Sequence, residues 1–129
     1  MSDIISDTNE LLFRQVHPSF IDNGEPTSQA FRPTQKDRGK LSVDRSSLTT
    51  AKNSFDLFVE NGFQSDAVYG LTVGEFNKEN INCFPDPLDT NPINPAHASA
   101  DFSSFGNSDQ KKIAKRLKSK ATTRGQLYP

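Results

Sequence analysis

Apolar residues come in short bursts along this chain, and the spacing inside each burst predicts the elements. Leu11-Leu-Phe-Arg-Gln-Val-His17 stops at Pro18 and reads as a strand. Its alternation puts Leu11, Phe13, Gln15 and His17 on one face, with Leu12, Arg14 and Val16 on the other. After a Gly- and Pro-containing loop at 22–26, Ser28–Arg32 reads as extended, since the residue before Pro33 is pushed out of helical geometry. Leu41-Ser-Val43 is a short strand beyond a turn at 36–39. Thr49 or Thr50 caps a first helix, in which Ala51, Phe55 and Phe58 recur at i, i+4, i+7 beside Val59, and Gly62 takes the left-handed C-terminal position.

Asp66–Gly74 has the plainest strand pattern: Ala67, Tyr69, Leu71 and Val73 alternate with Val68, Gly70 and Thr72. Pro85, Pro87, Pro92 and Pro95 exclude a helix and predict a stiff irregular loop across 77–96. His97–Phe102 follows as a strand with His97, Ser99 and Asp101 on one face. A last helix begins near Ser108, carries Ile113, Ala114, Leu117 and Ala121 as a narrow stripe, and stops at Gly125. Residues 1–9 are polar and read as a disordered leader. The sum is an α+β fold: one domain over 10–129 with four to five short strands, a central helix and a basic C-terminal helix at 109–125.

Composition sharpens this. Only 33% of the 129 residues are hydrophobic, yet the net charge is −1 and there are ten Phe, so a small core can form in a chain rich in loop. The near-neutrality is a cancellation. Residues 109–124 set seven cations against Asp109, a net +6, so the remainder carries −7. Within that remainder, residues 32–52 form a basic island of six cations and two acids, a net +4. No apolar run approaches the ~20 residues of a membrane span, and the acidic N-terminus does not resemble a signal peptide. Cys83 is the only cysteine, which excludes an intramolecular disulfide and a Cys-rich zinc site. A cytoplasmic protein without membrane association is the expectation.

Candidate chemistry follows from residue types. His17 and His97, both at strand ends near prolines, are candidate acid/base or anion-binding groups if they open into one pocket, and backbone caps if they do not. Ser28-Gln-Ala-Phe-Arg-Pro-Thr-Gln-Lys-Asp37 collects polar groups around little apolar surface. There Arg32 and Lys36 can bind a phosphate or carboxylate, with Ser28 or Thr34 donating to it; alternatively the charges pair locally on a solvated loop. Arg14, inside an apolar strand, requires a partner, for which Asp101, Glu75 or an anionic ligand are the candidates. Glu75 can serve as a base or simply face water. Gly70-Leu-Thr-Val-Gly74 lacks the endings of a phosphate-binding loop, and no metal signature is present. The basic helix admits an acidic protein partner or RNA through Lys111–Arg124, although it has no aromatic residue for stacking.

The strings Phe13-Arg-Gln-Val-His-Pro18, Ser28-Gln-Ala-Phe-Arg-Pro-Thr34, Lys36-Asp37, Leu41-Ser-Val43 and Asn94-Pro-Ala-His97 resemble a set of small, mostly uncharacterised bacterial proteins over most of 11–125. A fainter similarity is to NAD-cleaving and ADP-ribosyl-transferring toxin domains. That resemblance implies Arg14 on the dinucleotide phosphates, Ser42 at the nicotinamide side and Glu75 at the ribose. The Gly-Gly-Arg-Trp stretch of one such group is absent. The functional expectation is a polar pocket for an anionic, nucleotide-like ligand such as NAD. It would be built from Arg14, His17, Ser28, Arg32, Lys36, Ser42, Glu75 and His97, in an effector or toxin-type enzyme. The alternatives are a non-catalytic interaction module using the basic helix, and an RNA-binding protein.

Overall fold

The first apolar burst becomes β1 (Leu11–Val16), which pairs along its whole length with β5 (Ala67–Thr72). In the computed structural model, which describes residues 3–129, these two strands form one half of a five-stranded antiparallel sheet. β4 (Lys40–Arg45), β7 (His97–Asp101) and β6 (Cys83–Pro85) form the other half, giving the order β5-β1-β4-β7-β6. β4 and β7 pair over five residues, whereas β1 meets β4 only at Leu12↔Arg45 and Phe13↔Asp44. Beyond that point the halves part. A separate hairpin joins β2 (Ile21–Asp22) to β3 (Glu25–Pro26) through Asn23-Gly24, both at positive φ, as a two-residue hairpin turn requires.

One sheet face carries Leu12, Val16, Leu41, Val43, Tyr69, Leu71, Ala98 and Ala100 into the core. Against it lies α3 (Asn107–Arg124), burying the expected stripe of Ile113, Ala114, Leu117 and Ala121 and ending at Gly125 with φ 97°. Ser28–Phe31 is a 3-10 turn, where an extended segment was expected; the constraint from Pro33 is met by Arg32 alone, at φ −145°. The turn drives Ala30 and Phe31 fully into the core, beneath α3.

The expected strand at 66–74 ends at Thr72, where α2 (Val73–Lys78) begins. Thr72-Val-Gly-Glu75 is a reciprocal capping box: Thr72 Oγ1 accepts from the Glu75 N–H, and Glu75 Oε1 accepts from the Thr72 N–H. Inside the Pro-rich 77–96 segment, Cys83–Pro85 supplies the edge strand β6. Of the leader expected at 1–9, Ile5 is buried and donates its N–H to the Cys83 carbonyl, while the Thr8 carbonyl accepts from Gly74. Met1 and Ser2 lie outside the described residues. Leu127 and Tyr128 extend the other edge by bonding both backbone groups of Val68.

α1 (Ala51–Glu60) is capped by Thr50, one of the two threonines the sequence offers for that role. It lies on the sheet face opposite α3, and the residue it buries is Ser54, with Phe55 and Phe58 only half-buried. A helix that puts a serine inward and phenylalanines along its flank has something other than plain core beneath it.

Candidate ligand-binding cleft

Between α1, the open side of the β1–β4 divergence and the Leu88–Asn94 segment lies a cleft of about 430 Å³. Arg14, His17, Lys36, Ser42 and His97 all line it, together with Asp44, which the sequence reading did not single out. Ser28, Arg32 and Glu75 do not.

Arg14 sits where the two sheet halves part. Its Nε donates to the Ala30 carbonyl at 2.7 Å, and its Nη1 donates to the Ser42 carbonyl at 3.1 Å. With β1 and β4 separated at this level, the guanidinium stands in for the missing ladder bond at Ser42. Neither Asp101 nor Glu75 meets it: Asp101 accepts from the Ser103 N–H, and Glu75 is paired with Arg124. Among the described residues Arg14 has no carboxylate within ion-pair distance. Burial draws its pKa down to about 10, opposed only by the charge of Asp37. It therefore remains a cation at neutral pH, with carbonyl dipoles as its only bonded partners among the described residues.

Lys36 is exposed at the cleft mouth and makes no ion pair among the described residues. Its neighbour Asp37 is occupied, accepting from the Thr34 N–H at 2.8 Å and the Thr34 hydroxyl at 2.7 Å to close the 35–37 turn. The floor is polar. Asp44 Oδ2 accepts from Ser54 Oγ at 2.6 Å and Oδ1 accepts from Asn94 Nδ2 at 2.9 Å. Gln15 Nε2 donates to Ser54 Oγ, and Gln15 Oε1 accepts from Ser65 Oγ, both at 2.8 Å. This network is what the inward-facing Ser54 serves. The opposite wall is apolar, where Phe58 and Phe63 stack at 4.9 Å and 24°, next to Leu57, Leu88 and Pro92.

The histidines differ in what their rings have left to offer. His17 Nδ1 accepts from the Ser19 N–H at 2.9 Å, so the neutral ring carries its proton on Nε2, 3.0 Å from Gln64 Oε1; both nitrogens are engaged. His97 Nδ1 lies 2.7 Å from the Asp86 carbonyl, an acceptor only, so Nδ1 holds the proton and Nε2 is the acceptor of the neutral ring. His97 is also the cross-strand neighbour of Asp44.

The remaining candidates occupy other places. Ser28 opens the 3-10 turn. Arg32 Nη1 donates to Asn107 Oδ1 at 2.9 Å and lines a separate recess of about 560 Å³ at the start of α3. Glu75 caps α2 and is gripped by both terminal nitrogens of Arg124, at 2.9 Å each. Burial, its largest influence, pushes the Glu75 carboxyl up, but the bonds from Arg124 and Thr72 and the charges of Arg124 and Lys120 outweigh it and leave it below the ordinary range. Arg116 similarly binds both oxygens of Glu79, so two of the seven α3 and C-terminal cations serve docking. Cys83 is buried, and desolvation raises its thiol to about 12, well away from thiolate chemistry at neutral pH.

No family model, curated protein or solved structure matches the chain. What the cleft can do follows from its own side chains. Among the described residues, no group of three or more His, Cys, Asp or Glu is placed to hold a metal ion, and no helix is long and apolar enough to cross a membrane.

Proposed function

We propose that the cleft binds a small anionic, nucleotide-like ligand. Arg14 and Lys36 hold its anion, and the Phe58–Phe63 wall packs its planar ring. The observation that carries this reading is Arg14: a guanidinium held by two backbone carbonyls, without a carboxylate partner among the described residues, on the wall of a cleft. Uncompensated cations in partly desolvated positions are costly, and an oxyanion offsets that cost with charge-assisted bonds. His97, with Nε2 free to accept, is the side chain placed to act as general base on a bound substrate, which is the enzymatic form of the proposal. NAD and ADP both combine the anion and the ring that such a cleft selects.

A second reading rests on α3, where Lys111, Lys112, Lys115 and Lys120 stay exposed after Arg116 and Arg124 have been used for docking. That face suits an acidic partner, and RNA binding through it would weaken steeply with added salt.

Calorimetry with ADP, NAD and a short RNA separates the two. Arg14→Gln is expected to weaken ADP binding by about 10–100-fold, the loss of one charge-assisted contact. Arg32→Gln, in the other recess, is expected to leave it unchanged, with thermal melts confirming that both variants fold. Undiminished ADP binding by folded Arg14→Gln would reject the cleft reading, and salt-sensitive RNA binding with no response to ADP would favour α3.

A further inference from the structure

We infer that Asp44 is the acceptor for ribose hydroxyls in this cleft, and that the ligand is therefore a 5′-phosphorylated ribonucleoside; the inference rests on the anionic-ligand reading above. Among the described residues two carboxylates are buried, and they are treated differently. Glu10 is neutralised by Arg45 and also accepts from the Ser47 hydroxyl. Asp44, 9% exposed, makes no ion pair among the described residues and receives only neutral donors, Ser54 and Asn94. A carboxylate offers about four acceptor positions, so two remain for donors arriving from the cleft that Asp44 lines.

The direction of the surrounding bonds supports this. Ser65 Oγ lies 2.8 Å from Gln15 Oε1 and 3.1 Å from the Ala67 carbonyl, Gln15 Nε2 donates to Ser54, and Ser54 gives its single proton to Asp44. From the other side, the Ala96 N–H fixes the oxygen of Asn94, which turns the amide's NH₂ towards Asp44. Both branches end on this one carboxylate. Four polar side chains thus hold its rotamer, as a preorganised recognition group requires.

The placement of the two groups suits a ribose phosphate. Arg14 reaches the Ser42 carbonyl at the opening between β1 and β4, and Asp44 lies two residues further along the β4 backbone, about 7 Å between Cα positions at the strand rise, with both residues lining the cleft. A single ribose presents its 5′-phosphate and its 2′,3′-hydroxyls from opposite ends, so a phosphate at Arg14 directs the hydroxyls towards Asp44. A base extending beyond the sugar then meets the Phe58–Phe63 wall. Neutral donors on Asp44 also leave its charge free to strengthen bonds from hydroxyls, which a paired carboxylate could not do to the same degree.

The test compares ADP with 2′,3′-dideoxyadenosine 5′-diphosphate by calorimetry, and for the wild-type chain it needs no variant that could misfold. The dideoxy compound is expected to bind about tenfold or more weakly than ADP. Asp44→Asn is expected to bring ADP down to the dideoxy level without changing the dideoxy affinity. Ser54→Ala, which keeps the carboxylate but frees it, is expected to fall between. Equal wild-type affinities for the two diphosphates would overturn the role of Asp44 while leaving the anion-binding reading intact. Absence of binding by either would overturn both.

Discussion

Phe31→Ala is expected to lower the free energy of unfolding by about 3–5 kcal/mol, read by chemical denaturation. Phe31 is fully buried in the short turn clamped under α3, edge-on to Tyr69 at 6.4 Å and 89°. Truncation removes a large apolar surface and leaves a cavity that a turn fixed between β1 and α3 cannot readily collapse. For a domain whose total stability is about 5–15 kcal/mol, that is a large fraction. The adjacent Ala30 carbonyl is the acceptor for Arg14 Nε, so the same substitution is expected to loosen the cleft's cation in whatever fraction remains folded. A change below about 1 kcal/mol, which is typical of surface sites, would mean that the turn is not seated as described.

The second large effect is electrostatic. Glu10→Gln is expected to destabilise the protein by about 2–3 kcal/mol at neutral pH, somewhat less than the loss of one partner from a fully buried pair because Arg45 retains some solvent. Glu10 accepts from Arg45 Nε at 3.0 Å and Nη2 at 2.8 Å and from the Ser47 hydroxyl at 2.7 Å. The Arg45 bonds hold its carboxyl below the ordinary 4.5 against the opposing effect of burial, with Ser47 assisting. A folded-state pKa below the unfolded one stabilises fully above pH 4.5 and is lost as pH falls through the folded value. The wild-type protein should therefore lose stability on acidification below about pH 4.5, and Glu10→Gln should have a shallower acid limb. Parallel acid limbs for the two proteins would contradict this assignment.

Elements whose signals are local were legible in the sequence. Thr50, the i, i+4, i+7 spacing and Gly125 mark α1 and the end of α3, and the four buried residues of α3 are those of its apolar stripe. β1, β5 and β7 follow from alternation. α2 was hidden because its first residues continue the alternation of β5, although Thr72-x-x-Glu75 is a capping signature that could have revealed it. β6 lies in a Pro-rich segment and exists only because β7 provides an edge for it, which no local pattern encodes.

The candidate cleft was partly legible. Arg14, His17, Lys36, Ser42 and His97 are chemically conspicuous residues on or beside strands, and the fold brings all five to one cavity. Arg32 and Glu75 are equally conspicuous, but Asn107 and Arg124, 75 and 49 residues away along the chain, engage them elsewhere. Asp44 was missed because in the sequence it is one of two acids in a basic island. Only the pairing Phe13↔Asp44↔His97 places it on the cleft floor.

The most direct measurement of the central claim is a nuclear magnetic resonance titration of the full chain with ADP, following arginine Nε–H and backbone amide signals. The cleft account predicts that the Arg14 Nε–H signal and the amides around Asp44 and His97 shift together and saturate at one equivalent, with Arg32 and the α3 lysine positions unmoved. Shifts confined to Arg32, Asn107 and α3, with Arg14 silent, would contradict it.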